Sequence, residues 1–438
     1  MSAKTYLNID VYEAFQRRMD FICQEFDNII ISFSGGKDSG MLLNLVMDYM
    51  EEHSIRKKPG LFHQDMEAQY SYTTEYVTEM FQKYADRTEP YWWCIPVASR
   101  TAVGNYEMFW YPWDETKQDI WVRPMPEFPY VYTLGNNPMG DFYHYRMDYN
   151  SHAKAFGRWY HHAHGGGRTV ALLGMRADES LHRYNGIVNK RHDYKGEKWI
   201  TEGFKGVYSA SPLYDWTVRD IWHCHAKRGY SYNKLYDLFY KAGVSVEEMR
   251  VASPFHEDAT ASLHLYRVLE PAVWGKLLGR VQGANFAAIY GQSKAMGYRN
   301  VSLPKGHTWK SYTKFLLSTL PEDMRRNYIE KFKTSIKFWH HTGGGFAEEI
   351  IAEIESCGYS VERNGVSNYT KDGKSKIVFH GPTADDTDDV KGTIDIPSWK
   401  RMAVCILKND HMCRHMGFGL TKQQNDRRKE ILAKYANL

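Results

Sequence analysis

Asn28-Ile29-Ile30-Ile31-Ser32-Phe33-Ser34-Gly35-Gly36-Lys37-Asp38-Ser39 decides the fold. Its first six residues form a short β-branched run, too brief for a helix and apolar enough for a strand buried in a parallel sheet. A glycine-rich turn follows. Met41, Leu42, Leu45, Val46 and Tyr49 then recur at helical spacing, so the order is strand, turn, helix. Two glycines let the backbone take conformations barred to other residues and come close to a ligand, so that consecutive N–H groups converge on one anion. The positive end of the helix dipole faces the same place. Ser34 and Ser39 add hydroxyl donors, Lys37 a mobile charge, and Asp38 a carboxylate suited to hold Mg²⁺ or to orient water. The expected ligand is a phosphate chain. The bland alternative is a plain strand-to-helix turn, where Gly-Gly and an Asp or Ser cap are common. Neither GxxxxGK[ST] nor GxGxxG is present.

Working outward, Pro59-Gly60 marks a turn into a second strand near Leu61-Phe62-His63, Thr73 to Tyr84 reads as a helix, and Tyr91 to Val97 as a third strand. Residues from about 100 to 145 carry many aromatics and five prolines (Pro112, Pro124, Pro126, Pro129 and Pro138) with no sustained period, which suggests an insertion capping the site. The alternation resumes with a helix over Tyr149 to His162 and a strand over Arg168 to Leu173 that ends at Gly174. Trp216 to Lys227 reads as a helix started by Thr217, with Asp220 three residues on in a capping-box arrangement. Beyond 250 the pattern turns helical, near Ala259 to Leu269, Pro321 to His340 and Phe346 to Cys357. Asp385-Asp386-Thr387-Asp388-Asp389 reads as an exposed acidic loop and Lys422 to Lys434 as a basic terminal helix. The expected fold class is α/β, a parallel-sheet Rossmann-like nucleotide-binding domain over residues 1–250, followed by a mainly helical domain over 251–438.

Composition sets the outer limits. The 438 residues are 43% hydrophobic and 25% charged, ordinary for a globular protein of two or three domains. No run of about eighteen apolar residues and no charged-then-apolar leader is visible, so neither a membrane span nor a secretory signal is expected, and the cytoplasm is the expected compartment. Cysteines at 23, 94, 224, 357, 405 and 413 form no CxxC pair, which fits a reducing compartment. A net charge of +4 permits contact with polyanions, nucleic acid included, without arguing for it. The aromatic share is 15%, with 13 Trp and 32 Tyr, more than a core alone requires.

A second stretch carries chemistry. Gly174 ends a strand, where open α/β sheets present ligands to the loops beyond, and Arg176 and Arg183 can aim guanidinium groups at phosphate or sulfate, with Glu179 orienting an arginine or a metal. A surface salt-bridge set is the alternative. His63-Gln64-Asp65 at the end of the second strand is a candidate for the adenosine or a metal, or else a simple loop, with Asp65 the residue singled out. Trp216, Ile221 and Trp222 read as core packing, and Tyr232 and Asn233 lie within reach of the site. His161, His162 and His164 beside Gly165-Gly166-Gly167 suit either a metal or the negative end of a helix. His223-Cys224-His225 is too tightly spaced for one metal. Cys405, His411, Cys413 and His415 offer zinc-type ligands at a spacing that matches no standard finger. Arg427-Arg428-Lys429 reads as a solvated face that phosphate backbones would accept.

SGGKDS after an apolar strand resembles the PP-loop of the ATP pyrophosphatase superfamily. Leu173-Gly174-Met175-Arg176-Ala177-Asp178-Glu179-Ser180 with Arg183, and Ser211-Pro212-Leu213-Tyr214-Asp215-Trp216-Thr217-Val218-Arg219-Asp220-Ile221-Trp222, resemble the second and third motifs of its branch containing phosphoadenosine-phosphosulfate (PAPS) reductases and the small subunit of sulfate adenylyltransferase. The whole chain is similar to the IbrA/YbdN-like proteins, on Phe26-Asp27, SFSGGKDSG at 32–40, Arg158-Trp159-Tyr160-His161, Leu269-Glu270-Pro271, Gly283-Ala284-Asn285-Phe286 and Ile406-Leu407-Lys408-Asn409-Asp410. The resemblance implies an adenine nucleotide, ATP or PAPS, with Mg²⁺, bound by Ser34 to Ser39, Asp65, Gly174, Arg176, Glu179 and Arg183, with Lys37, Asp38 and Arg176 catalytic. It also implies a ParB-like protein partner.

The chain departs from the reductase pattern where the chemistry would sit. Sulfonucleotide reduction needs a cysteine in an ECGxH-like segment, and the nearest stretch, His411-Met412-Cys413-Arg414-His415, lacks the glutamate and the glycine. No closely spaced cysteine set for an iron–sulfur cluster occurs either. The expectation is therefore cleavage of ATP between its α and β phosphates, adenylating an acceptor and releasing pyrophosphate. A nucleotide-sensing regulator without turnover is the alternative.

Overall fold

A computed structural model of the chain describes residues 7–103, 107–180, 183–184, 187, 193–251, 253–256, 263–284, 303–356, 359–365, 374–387 and 396–418. The basic segment Lys422 to Lys434, with Arg427-Arg428-Lys429, lies outside the described residues, as do Cys357, Asp388, Asp389, Asn285, Phe286 and positions 259–262 of the helix expected from Ala259. The chain divides into two compact units. One comprises residues 1–99, 109–254 and 265–280, the other residues 100–108, 255–264 and 281–438.

The first unit is built on an eight-stranded sheet. In chain order its elements are α1 (Val11–Glu25), β1 (Asn28–Ser32), α2 (Lys37–Glu52), β2 (Gly60–Gln64), α3 (Ser71–Tyr84) and β3 (Glu89–Trp93). After the two-residue strands β4 (Ser99–Arg100) and β5 (Phe109–Trp110) come β6 (Val131–Tyr132), α4 (Tyr149–Ala163), β7 (Thr169–Leu172), β8 (Asp193–Tyr194), β9 (Glu197–Phe204), β10 (Val207–Ala210), α5 (Val218–Arg228), α6 (Leu235–Lys241), α7 (His264–Leu269) and α8 (Pro271–Arg280). The strand order is β6-β3-β2-β1-β7-β10-β9-β8, parallel from β6 to β10 and antiparallel over β9 and β8. This is the mostly parallel, Rossmann-like architecture expected from the sequence. The antiparallel flank was not foreseen, because Glu197–Phe204 is only partly buried and lacks a clean alternation.

Strand alternation divides the core between the two faces of the sheet. Ile29, Ile31 and Trp92 pack with α1, α2 and α3 residues such as Phe15, Leu42, Leu45, Val77 and Phe81. Ile30, Tyr91 and Trp93 pack on the other face with Phe156 and Tyr160 of α4. Much of the aromatic insertion is spent on this core. Trp113 is buried in the first cluster with Phe128 and Tyr130 against it, and Tyr130 lies 5.5 Å from Phe81.

The second unit holds α9 (Trp309–Thr319), α10 (Glu322–Lys337), α11 (Glu348–Ser356) and α12 (Trp399–Leu407), with Tyr328, Phe332, Met402, Cys405 and Cys413 in one core. It is helical as expected. It also carries a three-stranded antiparallel sheet that the helical reading missed, β11 (Gly344–Phe346), β12 (Val361–Arg363) and β13 (Ser375–Phe379), in the order β11-β13-β12.

Candidate functional site

β1 has β2 on one side and β7 on the other, so the chain leaves the sheet in opposite senses at this point, the switch point at which open α/β sheets commonly bind ligands. Ser34 to Ser39 fills the exit of β1. Gly35 takes a left-handed φ of +77°, and a Cβ there would meet Thr73 and Val77 side-chain carbons at 2.9 Å, so only glycine fits. Gly36 caps the 16-residue α2 without a side chain of its own, and of the first-turn amides that of Lys37 is met by the distant Tyr236 hydroxyl. Ser34 and Ser39 hydroxyls meet at 2.9 Å, and Ser34 N–H donates to Ser39 Oγ at 3.2 Å, which rounds the loop into a ring.

The loop from β7 closes on the same point. A Cβ on Gly174 would stand 2.9 Å from Ser39 N and 3.0 Å from Asp38 C, so the β7 exit touches the first turn of α2. Arg176, 3% exposed, donates from Nε to Asp38 Oδ1 at 2.6 Å and from Nη1 to the Trp216 carbonyl at 3.4 Å. Lys37, also 3% exposed, sets Nζ 3.1 Å from Asp38 Oδ2 and 3.3 Å from the Met249 carbonyl. Two cations thus share one carboxylate at the positive end of a helix. Asp178 adds a second carboxylate 3.8 Å from Arg176 Nη1, so the two cations are already balanced. The cluster suits an anion that competes with these carboxylates for Lys37 and Arg176. It does not fit a resident Mg²⁺ on Asp38, whose two oxygens already face Arg176 and Lys37.

Residues far along the chain brace this loop. Tyr236 OH accepts from Lys37 N–H at 3.0 Å, and Asn233 Nδ2 donates to the Gly35 carbonyl and to Thr73 Oγ1, both at 3.0 Å. His225, held neutral by burial, sets Nε2 3.3 Å from the Lys37 carbonyl. Thr217 and Asp220 form the expected capping box at the start of α5. Trp216 is buried in the core, while Trp222 packs edge-on to Tyr232 and Tyr236 at 5.2 and 5.3 Å. Tyr232 itself donates to Asp237 instead of reaching the loop. Sequence reasoning missed Tyr236, which nothing local marks, and weighed His225 only as part of the tightly spaced His223-Cys224-His225 set.

The other expected residues fall into two groups. Glu179 pairs with Arg183 beyond Arg176, and its carbonyl accepts from Arg250 at 2.8 Å, so these two side chains form a pair of their own. Asp65 is separated from the loop cluster by its partners. Its fully buried carboxylate accepts from Arg123, from Trp92 Nε1 at 2.8 Å and from Glu67 N–H at 2.8 Å, and the Arg123 guanidinium with His63 outweighs burial to hold it below the usual carboxylate range. Glu67 beside it is equally buried and accepts Arg280 at 2.7 Å and the backbone N–H of Trp113 at 2.7 Å. At the end of β2, next to Asp65, Gln64 is buried with neither amide atom hydrogen-bonded. Of the histidines read as metal candidates, His164 pairs with Glu89 at 2.8 Å and His161 with Thr169 at 3.0 Å.

Residues 28–242 match the phosphoadenosine phosphosulfate reductase domain. This stretch is a PAPS-reductase-like domain of the PP-loop superfamily. Residues 243–427 match a domain of unknown function (DUF3440). The uncharacterized protein YbdN of Escherichia coli (strain K12) is 28% identical over 431 residues, spanning 97% of this chain and 94% of its own. Among solved structures, the PAPS reductase of Candida auris in its phosphate complex covers 57% of this chain and 98% of its own, with 13% identity and a TM-score of 0.31. The FMN adenylyltransferase of Candida glabrata covers 52% of this chain and 57% of its own, with 15% identity and a TM-score of 0.31. Within the PAPS-reductase-like domain, the segment Ser34 to Ser39 and the Gly174–Arg176 loop are the elements brought together at the strand ends. Among the described residues no helix is long and apolar enough to cross a membrane.

Proposed function

We propose that the PAPS-reductase-like domain binds the phosphate chain of an adenine nucleotide on the α2 amides, and that it cleaves ATP between the α and β phosphates. The observation that carries this is the pair of buried cations, Lys37 and Arg176, brought together on Asp38 at the N-terminus of a helix whose N-cap residue is a glycine. An acceptor atom attacks the α-phosphorus, the bond to the bridging β-oxygen breaks, and pyrophosphate leaves with the electron pair. The amides, Lys37 and Arg176 then stabilise the charge that develops on the departing group. Mg²⁺ enters in this reading with its nucleotide, as MgATP, and not as a resident ion. Gln64, with two free amide atoms, is suited to read the adenine edge.

The thiols count against sulfur reduction. Cys23, Cys94, Cys224 and Cys405 are all raised above the ordinary thiol range, chiefly by burial, which disfavours thiolate attack. A second reading rests on the closed pairing of both cations with Asp38: nucleotide binding would break it, and the chain would act as a sensor toward a protein such as the ParB-like partner implied by the sequence resemblance.

Calorimetry with ATP, ADP, AMP and PAPS, with and without magnesium, tests the shared premise, and pyrophosphate release separates the readings. Binding with release on adding sulfate, nucleic acid or a protein acceptor favours the enzyme. Binding without release leaves the sensor, and no binding by any of the four removes both.

A further inference from the structure

The second unit contains a cluster that the nucleotide chemistry does not use. Cys405 lies in the last turn of α12, and the chain then folds back through Asn409 and Cys413, both in left-handed conformation at φ 51° and 55°. Asp410 N–H donates to the Cys405 carbonyl at 2.8 Å, and His415 reaches Asp410 Oδ2 from its backbone N–H at 3.0 Å and from Nδ1 at 2.8 Å. In consequence a Cys405 sulfur, an Asp410 oxygen and a His415 ring nitrogen all stand within 4.8 Å of one another. A second thiol, Cys413, is fully buried beside that of Cys405.

The surroundings of Asp410 also favour an electrophile. Asp410 is only 2% exposed; its Oδ2 takes both donors from His415, its Oδ1 makes no hydrogen bond of normal geometry, and the carboxylate lies beside the Cys405 thiol and the Arg414 amide. A buried carboxylate oxygen left unmatched is destabilising unless something meets it. Two thiols, one carboxylate and one imidazole make a donor set suited to a borderline-soft divalent ion, zinc above all. Zinc–ligand bonds of about 2.0–2.3 Å place tetrahedral ligand atoms roughly 3.3–3.8 Å apart, so the Cys405, Asp410 and His415 atoms need to draw together by about an ångström, while the Cys413 thiol beside Cys405 has to turn toward them as the fourth ligand. The charge also balances. Two thiolates and a carboxylate against Zn²⁺ leave one negative charge, and the buried Lys331 faces both Cys413 and Asp410.

We propose that Cys405, Asp410, Cys413 and His415 form a structural zinc site that pins the 409–416 turn to the end of α12. Binding replaces the two thiol protons, which go to solvent, and His415 exchanges its contact with Asp410 for the metal. With four protein ligands the shell is closed and the ion catalyses nothing. His411 stays outside it, with Nδ1 3.3 Å from the Tyr328 hydroxyl.

The test uses the full-length chain, purified under reducing conditions and loaded with Zn²⁺ or Co²⁺ alone. One zinc per chain by elemental analysis, and a Co²⁺ adduct with thiolate-to-metal charge-transfer absorption and strong tetrahedral d–d bands, are expected. His415→Ala, at the exposed edge, should fold normally and lose at least about 100-fold in metal affinity, more than outer-shell changes cost. Cys413→Ser should weaken the charge-transfer band. The proposal is overturned if the wild-type chain gives no such cobalt spectrum, if His415→Ala binds metal as tightly as wild type, or if Cys405 and Cys413 oxidise to a disulfide with zinc present in excess.

Discussion

Arg176 Nε donates to Asp38 Oδ1 at 2.6 Å, joining the exit of β7 to the first turn of α2 across 138 residues of chain. The same carboxylate also holds Lys37, so Asp38 is the counter-ion that both cations share. Removing one member of a buried ion cluster costs roughly 3–5 kcal/mol, because the remaining charge has no partner. Asp38→Asn should therefore melt well below wild type in anion-free buffer, and pyrophosphate should restore more of its thermal stability than it adds to wild type. Equal pyrophosphate-induced shifts in the two proteins would show that the cluster does not meet the anion. Arg176→Ala should show almost no shift.

Gly174 is a matter of space. A methyl group there would stand 2.9 Å from Ser39 N and 3.0 Å from the Asp38 carbonyl, against backbone that cannot swing away. Gly174→Ala is expected to cost about 1–3 kcal/mol, the usual range for overpacking, and to weaken nucleotide binding at least tenfold. Urea unfolding and a nucleotide titration on the same preparation measure both. A variant of wild-type affinity would mean that the two loops need not touch.

Tyr236 offers a cleaner separation. Its hydroxyl accepts the Lys37 amide proton, and deleting it leaves the ring packing in place. Tyr236→Phe should lose about 0.5–1.5 kcal/mol of stability, the worth of one hydrogen bond, while keeping nucleotide affinity. A large affinity loss at normal stability would instead put the hydroxyl on the ligand.

His152 gives the pH dependence. It is buried among Phe62, Trp93 and Tyr143 with neither ring nitrogen hydrogen-bonded, and burial pushes it from its ordinary 6.5 down to about 3. The unfolded chain therefore takes the proton first. Stability is intact above about pH 6.5 and falls as the pH drops toward 3, by about 2 kcal/mol at pH 5 from this residue alone. His152→Leu should flatten that part of the profile in denaturant melts at pH 7, 6 and 5. A parallel decline in both proteins would assign acid sensitivity to His63 and His225, which burial lowers in the same direction.

What was legible in the sequence is what depends on neighbours along the chain. The apolar run before Gly35-Gly36, the Gly174–Arg176 turn and the Thr217–Asp220 box are local patterns, and each lies where its spacing placed it. Tyr236 reaches Lys37 across 199 residues, and Arg123 reaches Asp65 from within an insertion that has no period. No window of sequence contains both ends of such contacts. Asp65 illustrates the cost: its place at the end of β2 suggested a ligand contact, while its oxygens are met by Arg123, Trp92 and Glu67. The small strands β8, β9 and β11 to β13 were missed because partly exposed strands pair by backbone and need no strict alternation.

Arg280 ends α8, 213 residues downstream of the Glu67 carboxylate that it neutralises, and both side chains are essentially dry. The domain boundary recognisable from related sequences falls at 242, upstream of that arginine. A shortened protein stopping there would strand an acid in the interior with its counter-charge on the discarded piece. Any dissection meant to yield a working first half therefore has to carry the chain through residue 280.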